Sequence, residues 1–104
     1  LLFVNTPVYI ENLSIVMIIE LEEKLLSFID SRIAEASDDE LFAGGYLRGH
    51  ISLSVATCEE LGETEISQLV ERVDSSLEAA KSELTPADRL IVQELWSELQ
   101  NLSQ

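Results

Sequence analysis

Three helix-boundary signals cut residues 17–104 into four apolar stripes, and this punctuation constrains the chain toward helices packed on helices. The first signal is Ser37 with Glu40, the spacing of a capping box. Asp38 and Asp39 fall in the first turn, where carboxylates favour the helix dipole. The second is Gly62, a natural helix terminator, followed by Thr64 as a cap. The third is Thr85-Pro86-Ala87-Asp88: a cap, a proline at the first helical position and a carboxylate at the third.

Apolar residues recur at helical spacing between these signals. Helix 1, about 18–36, carries Leu21, Leu25, Phe28, Ile29 and Ile33, flanked by Ile18 and Leu26. Arg32 lies on that apolar side and is expected to snorkel to solvent or to pair with Asp38 or Asp39. Helix 2, about 38–61, carries Ala43, Leu47, Ile51, Ser54, Cys58 and Leu61. Helix 3, about 65–83, has Ile66, Leu69, Val70, Val73, Leu77 and Ala80. Helix 4, about 86–102, buries Ile91, Val92, Leu95, Trp96, Leu99 and Leu102. The connections are short, so the expected fold is an all-α antiparallel four-helix bundle.

Residues 1–16, LLFVNTPVYIENLSIV, differ in character from the rest of the chain. They hold one charge, Glu11, and they lack a basic leader and a cleavage site. Asn5, Pro7, Glu11 and Asn12 interrupt any membrane span. Pro7-Val8-Tyr9-Ile10 suggests a short extended segment. Met17 is the only methionine, and the clean pattern starts after it. The expectation is a single helical domain over 17–104, preceded by a non-native or poorly ordered extension over 1–16.

Twenty acidic residues stand against six basic ones, a net charge of −14. Such a surface repels phosphate backbones and anionic lipid, so neither nucleic acid nor a membrane is an expected partner. A basic protein is an allowed one. The single Cys58 cannot form an internal disulfide and suits a reducing, cytoplasmic compartment.

Helix 2 is unusual because Gly44, Gly45 and Gly49 lie inside it. Each costs a helix about 1 kcal/mol relative to alanine, so the folded state should offset the loss. Opposite the core stripe, Gly45, Gly49, Ser52 and Ala56 form a second, small-residue face. Phe42, Tyr46 and Leu53 border it on one edge, with Leu41, Arg48 and Val55 toward the other. This face has three readings. Helix 2 is central and packs on both sides; or the second face meets another chain, most simply in a homodimer; or the glycines accommodate a kink.

The stretch Ser37-Asp38-Asp39-Glu40-Leu41-Phe42-Ala43-Gly44-Gly45-Tyr46-Leu47-Arg48-Gly49-His50 resembles the YfcL-like family of small bacterial proteins. The resemblance extends loosely from Met17 to Leu102 and includes Leu84-Thr85-Pro86 and the Trp96-containing last helix. Residues 1–16 have no counterpart in it. It implies a small soluble bacterial protein and assigns no activity, substrate or catalytic residue.

Candidate chemistry is sparse. Asp39 and His50 are eleven residues apart, about 16 Å along one helix, and cannot share a metal ion within it. No residues have metal-ligand spacing, and no glycine loop follows a strand to cradle phosphate. His50 and Cys58 are about 12 Å apart along the helix, too far for a catalytic pair. No catalytic residue, metal or cofactor is therefore assigned. Tyr46 and His50 are neighbours at i, i+4, while Arg48 points elsewhere, beside Gly44 and Ser52.

The leading reading is a non-enzymatic protein-interaction module of unknown partner. Its surface would be Phe42, Gly45, Tyr46, Arg48, Gly49, His50, Ser52, Leu53 and Ala56. The alternatives are an electronegative regulator of a basic protein, and a small-molecule binder or enzyme using Tyr46, Arg48 and His50.

Overall fold

The computed structural model describes the backbone of residues 2–102 and the side chains of residues 15–102. Four α-helices follow one another: α1 (Leu2–Ser31), α2 (Asp38–Leu61), α3 (Ile66–Ala80) and α4 (Pro86–Leu102). Short 3-10 turns, Ile33–Glu35 and Lys81–Glu83, follow α1 and α3. There is no strand among the described residues. The architecture is an all-α helical bundle.

The cap chemistry is mostly where the sequence puts it. Ser37 accepts from the Glu40 N–H at 3.2 Å, and Glu40 accepts from the Ser37 N–H at 3.0 Å. These bonds to Ser37 hold the Glu40 carboxyl below its usual range. Gly62 ends α2 at φ 71°, the left-handed conformation that favours glycine. Thr85 Oγ1 accepts from Asp88 N–H at 3.1 Å. Thr64 is not the cap of α3. Gln68 reaches back to accept from both the Thr64 and Glu65 N–H groups, which moves the helix start to Ile66 with Glu65 as its cap.

Three further boundaries differ from the periodicity: both ends of α1, and the end of α3, which stops at Ala80 before the 3-10 turn Lys81–Glu83. The α1 helix stops at Ser31, and the tighter turn after it rotates Ile33 off the stripe, leaving it exposed. At the other end, α1 begins at Leu2, so Pro7-Val8-Tyr9-Ile10 is helical and not extended. Propagating an existing helix costs less than nucleating a new element. Residue 1 and the side chains of residues 2–14 lie outside the described residues, so over most of the expected 1–16 extension only the helical backbone is described. No described helix is long and apolar enough to cross a membrane.

The bundle is organised around α2, which packs against α1, α3 and α4, while α1 reaches α4 through side chains, Lys24 Nζ donating to the Leu102 carbonyl at 2.9 Å. The core contains Ile18, Leu21, Leu25 and Ile29 from α1; Ala43, Leu47, Ile51, Val55 and Cys58 from α2; Leu69 and Val73 from α3; and Val92, Trp96 and Leu99 from α4. Val55 is buried and does not border an open face, because three neighbouring helices widen the covered arc of α2. Leu61 is exposed, since the chain reverses at Gly62 directly after it. The buried Trp96 indole Nε1–H donates to Asp74 Oδ1 at 2.7 Å, which satisfies its polar edge. Cys58 is a fully buried free thiol. Burial, with Glu63 beside it, pushes its pKa up.

Candidate functional site

The glycines of α2 serve different purposes. Gly44 is buried, and a Cβ there would meet Ile29 Cγ2 at 3.0 Å. Its bare backbone is what lets α1 approach α2. Gly45 and Gly49 are exposed, and a Cβ on either would meet nothing within 4 Å. The helix is central, but it is not packed on its second face: Gly45, Gly49, Leu53 and Ala56 remain open and Ser52 is half-buried. The helix runs unbroken from Asp38 to Leu61.

The remaining candidates divide onto two sides of α2. Phe42, Tyr46 and His50 form a row at successive i, i+4 positions. The first two rings stack at 5.8 Å, and the second pair tilt at 4.6 Å. This row leans toward α3. Tyr46 Oη donates to Glu83 Oε1 at 3.2 Å, and His50 Nδ1 lies 2.6 Å from Ser76 Oγ. Desolvation raises the Tyr46 pKa, and the bond to Glu83 adds to the shift.

Arg48 is on the other side. Its Nε and Nη2 donate to Asp30 Oδ1 and Oδ2 at 3.1 and 2.8 Å, a bidentate pair between α2 and α1. The guanidinium lowers the Asp30 pKa, and the carboxylate raises that of Arg48. Tyr46, Arg48 and His50 therefore do not converge on one site.

The separation of α1 from α4 opens a groove of about 480 Å³, floored by Ala43, Gly44 and Gly45. Its apolar walls are Ile29, Ile33 and Ala36 from the end of α1 and the turn after it, Leu41 from α2, and Ile91 and Leu95 from α4. Asp30, Glu40, Glu94 and Glu98 line it with Arg32 and Arg48, leaving an excess of two negative charges. Arg32 spans the α1 and α4 sides, donating to Glu98 Oε1 at 2.7 Å while sitting 5.1 Å from the Phe28 ring centroid. It thus pairs with Glu98 and not with Asp38 or Asp39, because the end of α1 faces α4.

Gly45, Arg48 and Leu41 of this groove stand out in the sequence. Ile91 and Leu95, expected on the buried face of helix 4, are half-buried and pack against the core while also lining the groove, and Glu94 and Glu98 are not among the sequence candidates. The available signal was the width of the α4 apolar arc. Ile91 and Leu95 form a second row beside Val92, Trp96 and Leu99, more than one buried stripe requires. A smaller cavity of about 150 Å³ lies between Tyr46, Leu77, Val92 and Arg89. No group of acidic, histidine or cysteine side chains among the described residues could hold a metal ion.

The family model described as YfcL protein matches residues 19–101, most of the chain and every residue that lines the groove. The chain belongs to the YfcL family. Within that family it is 46% identical over 86 residues to a protein of Escherichia coli (strain K12) named "Uncharacterized protein YfcL". That alignment covers 80% of this chain and 92% of the relative. No solved structure matches the chain.

Proposed function

We propose that this YfcL-family chain is a non-enzymatic protein-interaction module that works through α2. The carrying observation is Leu53, 63% exposed on a helix that packs against three others. It lies beside the open Gly49 and Ala56, with exposed Phe42 on the same edge. A helix at the centre of a bundle that keeps a large apolar side chain among small residues presents a flat, accessible face. A second copy of the chain is the alternative occupant of this face. The cytoplasm is the proposed compartment, supported by the single buried free thiol.

A second reading, an electronegative regulator of a basic protein, draws support from the −14 charge and the acidic excess in the groove. The small-molecule or enzymatic reading through Tyr46, Arg48 and His50 draws none, since Arg48 is held by Asp30 away from the other two.

The test is capture of partners from a bacterial lysate at moderate salt by the tagged full chain, by its Leu53→Asp variant and by a charge-matched acidic control. The expected result is a partner retained by the chain and lost by Leu53→Asp. The same basic proteins on all three baits would replace the interaction reading with a purely electrostatic one. Dimerisation abolished by Gly49→Leu, read by light scattering, would assign the face to a second copy.

A further inference from the structure

We infer that the groove between α1 and α4 seats a partner's short amphipathic helix, with an apolar stripe inserted and Lys or Arg on its flanks. The inference rests on the interaction-module reading and adds a location and a partner chemistry to it.

Four observations define the occupant. The first is length: the α4 wall runs from Ile91 to Asn101, about 15 Å, or about three helical turns. The second is the lining. Ile33, Leu41, Ile91 and Leu95 are apolar, and Ile33 and Leu41 are exposed while the groove is open. Helix-in-groove recognition uses such a trough, filled by anchors at i, i+3 or i+4 and i+7. The third is the floor: Gly45 has free space where a Cβ would be, so the backbone of α2 is accessible from above. The fourth is charge.

Of the six charged side chains lining the groove, both guanidiniums already have carboxylate partners. Glu40 and Glu94 supply the remaining negative charge. A cationic flank on the incoming helix complements them, whereas an acidic helix is repelled. A second copy of this chain fits poorly by the same criterion, because it brings a net charge of −14 to an acidic rim.

The experiment uses the full chain and three labelled synthetic peptides of about three turns, read by fluorescence anisotropy. One has a leucine stripe flanked by lysines. One is its scramble, with equal charge and no stripe. One has the lysines replaced by glutamates. The lysine-flanked helix should bind at least about tenfold more tightly than the scramble, and the glutamate version should not bind.

Gly45→Phe fills the groove from its floor and should weaken binding by about tenfold or more. Glu94→Lys should weaken it about threefold, and Leu53→Asp, on the open face of α2, should leave it unchanged. Circular dichroism confirms that each variant is folded. Equal binding of the scramble, indifference to Gly45→Phe and Glu94→Lys, or no binding by any peptide would each overturn the inference.

The two proposals fail separately. A lysate partner lost by Leu53→Asp but retained by Gly45→Phe removes the groove and keeps the interaction module. Peptide binding in the groove without any specific lysate partner does the reverse.

Discussion

The two sides of α2 solve the same packing problem in opposite ways. Toward α3 the surface is closed: Tyr46 and His50 are half-buried and bonded to Glu83 and Ser76. Toward α1 and α4 the helix is covered only in part. Gly44 admits Ile29, and then Gly45 leaves the floor of a groove uncovered. Adjacent glycines thus act differently. One is used for contact, where a side chain would collide. The other is used for space, where a side chain would intrude on nothing but the groove. A glycine in a helix costs stability in either case, but only the first recovers it through packing inside the chain.

The largest test of this contrast compares truncations on the two sides. Leu69→Ala, fully buried on α3, should cost about 3 kcal/mol in urea unfolding, whereas Leu95→Ala on the groove wall should cost about 1 kcal/mol. Equal costs would mean that the groove side is as tightly packed as the α3 side.

The glycine pair offers a sharper test with effects of about 1 kcal/mol. Gly45→Ala should stabilise the chain by up to about 1 kcal/mol, because it restores helix propensity without a clash. Gly44→Ala should instead destabilise by about 1 kcal/mol, since the crowding against Ile29 outweighs the propensity gain. In an Ile29→Leu background, which removes the branched methyl, Gly44→Ala should turn neutral or stabilising. If Gly44→Ala and Gly45→Ala stabilise alike, the close approach is not a constraint.

The closed side should also show a pH dependence in alkali. Burial raises the pKa of both Cys58 and Tyr46, so each contributes stability while it is neutral. That contribution is complete below their ordinary values of 9.0 and 10.0 and is lost as pH rises through the raised folded values. Thermal melting should therefore shift downward in alkali. Tyr46→Phe should flatten part of the decline, and an unchanged slope would remove Tyr46 from the account.

Asp30 and Glu63 have the opposite sign. Arg48 and Arg72 hold them below the usual carboxylate range, so their contributions fade as pH falls through the lowered values. The smallest effect is expected at the exposed groove rim. Asp30→Asn should cause only a slight loss of stability in urea unfolding, because pairs this accessible to water are weak even with bidentate geometry. A loss several times larger would show that the pair braces α1 against α2.

Much of the fold is legible in the chain. The Ser37 and Glu40 box, the Gly62 stop and the Thr85-Pro86 start are local events, decided by groups within a few residues of one another. The core is legible in the same way: Leu21, Leu25, Leu47, Ile51, Leu69, Val73, Trp96 and Leu99 lie on their stripes and are buried. The candidate site is less legible. Arg48 and Gly45 stand out in the sequence, but their partners Asp30 and the α4 wall are distant along the chain. Periodicity states which face of α4 is apolar without stating that half of that face would meet a gap.

The sequence by itself determined the four helices, most of their ends and most of the buried residues, because hydrogen-bonded caps and 3.6-residue spacing are properties of a local segment. Only the tertiary structure decided which glycine is crowded, where Arg32 and Arg48 find their carboxylates, and that α1 and α4 stand apart over Gly45. Those outcomes depend on how far apart helices settle around α2, a balance of side-chain volumes from all four elements that no single segment contains.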